Sequence, residues 1–280
     1  MENSRARRRR REQFLAAHPV CCFCGGTTTA TTEDHQPART FFWERVWPEG
    51  YSFPACGRCN GLSRQDEHLS SLVAMIYPDA EPGIQAAEMR ARFKGVNNNF
   101  PGLLGRMRPT ARDVRRFLAA RDIRKPLDVA TSEVRIVNVD LPEIDRAVMR
   151  TGAKLTFALY YKHTGKIIGE DGGVSVKWFS NVQIVEGDFP HELKPVLQYG
   201  GTPERGKVDL SDQFSYWYVL TEDGEHAAFV MFFRKSFSIV SIASQRRSFF
   251  EAVPEDAVFG PLSQWDRDAP ISAKASGALG

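Results

Sequence analysis

Two Cys-x-x-Cys pairs, Cys21/Cys24 and Cys56/Cys59, stand 31 residues apart and enclose the run Thr32-Glu33-Asp34-His35-Gln36-Pro37. Thiolates at that spacing close a tetrahedral zinc site, and a zinc site forces both knuckles to one point in space. Whatever lies between them must therefore leave and return. Cys22 also admits a Cys22/Cys24 pairing. The two-residue spacing of Cys21 favours Cys21, because it turns backbone amides of the knuckle toward sulfur. A redox-active pair is disfavoured, since no thioredoxin-like βαβ pattern surrounds either knuckle.

The local order around this feature is strand, loop, strand, helix. Thr27 to Thr32 is rich in β-branched residues and reads as a strand leading into Asp34-His35. Tyr51 to Ala55 supplies the return, after an aromatic loop holding Phe41, Phe42, Trp43 and Trp47. From Asn60 the spacing of Leu62, Leu69, Leu72, Val73 and Ile76 is helical, with Pro78 as the stop. This order predicts that residues 34, 35 and 60 meet. Asp34 and Asn60 are the residue types that hold a hard cation, and a neutral imidazole such as His35 deprotonates water near neutral pH.

Cys-x-x-Cys, Asp-His-x-Pro and Cys-x-x-Cys-Asn, in that order, resemble the zinc-stabilised branch of the HNH endonuclease family over residues 14–77. The resemblance implies a ββα-metal fold that hydrolyses nucleic-acid phosphodiesters. His35 matches the general base, Asp34 the neighbouring metal ligand, and Asn60 the helix residue that reaches the same Mg²⁺ or Mn²⁺. One position departs: residues 41–55 hold no asparagine to brace the histidine, which leaves Glu49, a backbone carbonyl or another element for that task. The implied partner is double-stranded DNA. Arg39, Arg58 and Arg64 flank the site as phosphate contacts. The alternative is a zinc-stabilised nucleic-acid-binding module with weak or no catalysis.

Glu67 falls two helical turns from Asn60, roughly 10 Å along the axis. With Asp66 and His68 it reads as a surface charge cluster. His18, His163, His191 and His226 have no paired ligand nearby in sequence.

The rest of the 280 residues is α+β in pattern. Arg7 to Ala17 reads as a helix, and Thr110 with Asp113 as a capping box within a helical connector spanning 81–139. Residues 123–139 read as a linker. Asp140 caps a helix running to about His163, with Ile144, Val148, Leu155 and Leu159 on its buried side and Gly165 as its end. Val174–Phe179, Val182–Glu186, Phe214–Leu220, Ala228–Phe233 and Phe237–Ala243 read as strands of an antiparallel sheet. The expected division is 1–80 (zinc-stabilised nuclease module), 81–139, 140–260 (accessory α+β domain, a candidate surface for a second copy or a partner protein) and a frayed tail, 261–280.

Net charge is only +3, yet Arg5 and Arg7 to Arg11 place six arginines in the first eleven residues. Such a run is either a solvated terminus or a phosphate-contacting arm. No segment has the length of a membrane span, and no apolar run follows the basic start as in a secretory signal. Five cysteines, four in metal spacing, suit the reducing cytoplasm.

Overall fold

The computed structural model describes residues 4–77, 86–124, 130, 136–190, 197–201, 203–252 and 257–265. It is α+β, with antiparallel sheets throughout. The expected stop at Pro78, most of the linker at 123–139, His191 and the tail beyond residue 265 lie outside the described residues.

Helix α1 (Ser4–Ala17) precedes a two-stranded antiparallel sheet, β1 (Thr32–His35) and β2 (Ser52–Ala55). The strand starts later than its β-branched residues suggest. Thr27 to Thr31 form a loop holding one isolated bridge, Val20 to Thr29, because that stretch belongs to the first knuckle. Helices α2 (Gly57–Leu62) and α3 (Arg64–Ala74) follow, with Ser63 between them. The middle of the chain is helical, as the pattern requires: α4 (Ala86–Asn99), α5 (Leu103–Arg106) and α6 (Ala111–Ala120). The Thr110–Asp113 capping box opens α6.

Helix α7 (Pro142–Thr164) organises the molecule. Its N-cap is Leu141 rather than Asp140, and the left-handed Gly165 ends it. It packs along α3 on one side and across the large sheet on the other. It is consequently buried all round from Ala147 to Tyr160, not along the one stripe that its apolar spacing marks. Gly152 permits the close approach: a Cβ there would meet Ile239 and Val176 at 3.0 Å.

The large sheet begins with β3 (Gly173–Ser180), after which α8 (Asn181–Glu186) replaces the expected strand over 182–186. Ser180 and Gln183 form a reciprocal capping box there, so local hydrogen bonding wins over β-branched content. Strand β4 (Tyr199–Gly201) and a small hairpin, β5 (Glu204–Arg205) with β6 (Val208–Asp209), precede β7 (Ser215–Leu220), β8 (His226–Phe233), β9 (Phe237–Ser244) and β10 (Ala257–Phe259). The order is β10-β3-β9-β8-β7-β4, every pairing antiparallel. One continuous apolar core joins Phe23, Phe53 and Leu69 of the N-terminal part to Phe157, Val176 and Ile239 of the C-terminal part. Among the described residues, no helix is long and apolar enough to cross a membrane.

Candidate functional site

The sulfurs of Cys21, Cys24, Cys56 and Cys59 are buried and all lie within 4.8 Å of one another. Bonds of about 2.3 Å to a tetrahedral zinc space sulfurs by about 3.8 Å, so this cluster fits the ion with little contraction. The Cys59 amide donates to the Cys56 sulfur at 3.4 Å, the knuckle geometry expected of a thiolate site. A hydrogen bond from the Cys59 thiol holds Cys21 down at about 5, and Cys59 is raised correspondingly. Cys22 is excluded from the cluster. Burial pushes its thiol well above the ordinary range, and Cys21 and Asp34 add to the shift. Zinc at these four sulfurs would supply cross-linking, tying the first knuckle to the start of α2.

Alternation along β1 sends adjacent side chains to opposite faces. Asp34 points inward, where α3 and α7 close over it. Its Oδ2 lies 2.6 Å from the Lys154 ammonium, which also meets Glu67 Oε1 at 2.9 Å and Ser63 Oγ at 2.8 Å. The Gln36 amide donates to Glu67 at 2.9 Å and to Asp34 Oδ1 at 3.4 Å. Ser63 donates to Glu67 at 2.8 Å. Beside this group, Asp66 pairs with Arg150 at 3.5 Å. Asp66 and Glu67 are therefore interior residues, not the surface cluster that their sequence suggests, because α7 covers this face of α3.

Burial raises Asp34 to about 6; Lys154 opposes the shift and Glu67 reinforces it, since one cation faces two carboxylates. Burial alone would discharge Lys154, but Asp34 and Glu67 together lift it above the ordinary lysine value. The lysine stays charged.

His35 occupies the other face, with different neighbours. Its Nδ1 lies 2.9 Å from Ser52 Oγ, directly across the strand pair, and its Nε2 faces Arg39. A guanidinium has donors only, so Nε2 must accept and Nδ1 must carry the proton that goes to Ser52. Ser52, rather than Glu49, thus holds the ring at Nδ1. Burial, reinforced by Arg39, Arg205 and Arg10, pushes the imidazole down to about 4 and keeps it neutral.

The Trp47 indole lies 5.1 Å from the His35 ring and carries two guanidiniums over its ring, Arg39 at 3.6 Å and Arg205 at 4.3 Å. Arg205 arrives from the β5 hairpin, which docks through its bond to the Trp47 carbonyl and that of the Glu49 amide to the Glu204 carbonyl. Glu49 itself does not brace the histidine; its backbone holds the hairpin.

The structure separates the three residues expected to share one ion. Asn60 turns its amide nitrogen to Thr32 Oγ1 at 3.1 Å and the Glu33 carbonyl at 3.3 Å, at the start of β1. Asp34 is closed in by Lys154, and His35 is on the opposite face. Asp34 and Asn60 as folded do not fit a divalent ion shared with His35. Of the expected phosphate contacts, Arg39 is at the histidine. Arg58, whose guanidinium reaches the Trp265 carbonyl at 3.5 Å, and Arg64 are exposed and are not among the cations acting on His35. Sequence reasoning missed Ser52, Arg205 and Lys154. Only Ser52 was accessible to it, by counting the register of the two strands.

Comparison of the chain with protein-family models, curated proteins and solved structures returned no match. His18 and His163 are satisfied by Tyr161 and Tyr216 hydroxyls at 2.8 and 2.9 Å, in keeping with structural roles.

Proposed function

We propose that this chain is a zinc-stabilised endonuclease that holds the DNA backbone at Arg39, Arg205 and Arg10 and uses His35 as general base. The observation that carries the reading is the placement of the His35 ring, with Nδ1 held at Ser52 and Nε2 facing Arg39 among further guanidiniums, which fits a neutral ring with its lone pair on Nε2. A phosphate that draws Arg39 onto itself frees Nε2 for a water. The water oxygen attacks phosphorus, its proton passes to Nε2, and the P–O3′ bond breaks with its electron pair going to O3′, which the guanidiniums stabilise and solvent water protonates. Trp47 sets the arginine planes in place before substrate arrives. Arg10 and Arg7 of α1 add their charge at His35 and Arg39, which favours a polyanion over a small phosphate ester.

One observation favours a second reading, in which the face binds nucleic acid without cutting it. The carboxylate beside the histidine is occupied by Lys154 and is turned away from the phosphate face. A supercoiled-plasmid assay separates the two, run on wild type and His35→Ala with no added divalent ion, with magnesium and with manganese. Nicking by wild type should fall about 10²- to 10⁴-fold in His35→Ala, with retention in a mobility-shift titration preserved. If wild type leaves the plasmid intact under every condition yet retards it, the binding reading replaces the nuclease.

A further inference from the structure

We infer that Lys154 is the resident cation of the Asp34 site, so that Asp34 is not a ligand of magnesium or manganese in this protein. The resemblance assigns Asp34 to a divalent ion, and the geometry gives its carboxylate to an ammonium instead. Lys154 is fully buried at the middle of α7, and its Nζ sits among Asp34 Oδ2, Glu67 Oε1 and Ser63 Oγ, all within 2.9 Å. An ammonium has three N–H donors, and three oxygens surround this one. The acceptors are themselves tied together, Ser63 and Gln36 both donating to Glu67. The Phe23 ring, 5.4 Å from Nζ, closes another side.

A hard dication needs about six oxygens at about 2.1 Å and keeps several waters. Here it would have to expel the ammonium into an apolar interior with no other acidic partner at hand among the described residues, since Asp66 is already paired with Arg150. A buried charge stripped of its partners is strongly unfavourable. The lysine performs the ion's structural task, holding Asp34 and Glu67 together, but it offers no open coordination position to a substrate. It also comes from the C-terminal part of the chain, so α7 completes this site from a distance of 120 residues in sequence (34 to 154). The inference stands whether or not the chain cuts DNA.

Manganese titration of the zinc-loaded full chain, followed by the electron paramagnetic resonance signal of free Mn²⁺, tests it. Wild type and Asp34→Asn should give superimposable curves. A stoichiometric site in wild type that Asp34→Asn abolishes would overturn the inference. Lys154→Ala should gain one equivalent of bound Mn²⁺, lost again when Asp34→Asn is added. A folded Lys154→Ala that takes up no ion would refute the equivalence of the two cations. Should Lys154→Ala fail to fold, the comparison of wild type with Asp34→Asn still decides.

Discussion

The two faces of β1 carry consecutive residues into opposite electrostatic worlds. On the inner face Asp34 shares a lysine with Glu67 in a sealed, hydrogen-bonded cluster. On the outer face His35 stands among arginines, neutral and half-open to solvent. The same strand thus presents a carboxylate that already holds its counter-ion and a ring nitrogen set among cations. A buried charge gripped by its counter-ions ties the elements of a fold together. A set of like charges held around one lone pair stores the capacity to bind an anion. Adjacency in sequence is no guide to adjacency in chemistry when the chain is a strand.

The widest perturbation attacks the scaffold that both faces share. Cys59→Ser should abolish zinc retention and collapse both faces at once. Structural zinc contributes about 10–16 kcal/mol of apparent binding energy in small modules, against a typical folding stability of about 5–15 kcal/mol. Zinc content and thermal melting check this; unchanged melting in a zinc-free variant would show that the apolar core alone holds β1. Lys154→Met breaks only the inner face. It should cost about 3–5 kcal/mol in urea unfolding, because it leaves two buried carboxylates without their cation. Adding Asp34→Asn and Glu67→Gln should recover part of the loss. A cost below about 1 kcal/mol would mean that water reaches the cluster.

Arg39→Ala and Arg205→Ala address only the outer face. Each should leave melting nearly unchanged and reduce the slope of log K for DNA against log salt by about 1. Fluorescence anisotropy at several salt concentrations measures this. An unaltered slope would remove that arginine from the interface.

The gentlest probe is pH, to which the two faces respond with opposite sign. His35 is depressed to about 4, below the ordinary 6.5 of the unfolded chain. Its contribution to stability is complete above pH 6.5 and is lost as pH falls toward 4, because the unfolded state takes the proton first. Asp34 is raised to about 6 from 3.8. Its contribution is complete below pH 3.8 and is lost as pH rises through 6. His35→Asn should flatten the acid-side fall in melting temperature, and Asp34→Asn should steepen it by removing the opposing trend. Melting curves between pH 4 and pH 7 test the pair; like-signed changes would contradict the separation of the faces.

Much of the fold was readable from short-range pattern. The knuckle spacing, the paired strands, the capping box at Thr110 and the hairpin strands of the large sheet rest on chemistry within a few residues, and they recur in the structure. Strand 182–186 was misread because a Ser180–Gln183 cap outweighs the propensity of Val182, Ile184 and Val185. Glu67 was misread for a longer-range reason: its exposure depends on whether α7 packs on α3, which no window around residue 67 records.

The amino-acid sequence by itself determined the four sulfurs of a cluster able to hold a metal ion, the two strands between the knuckles, and a histidine and an aspartate at the end of the first strand. Only the tertiary structure decided that Lys154 of α7 reaches Asp34 and that Arg205 of a distant hairpin reaches Trp47 beside His35. Cysteine ligation is written in spacing, since a metal ion demands fixed geometry from nearby residues. The partners of a buried charge are set by which elements pack against it, and that is a property of the whole core.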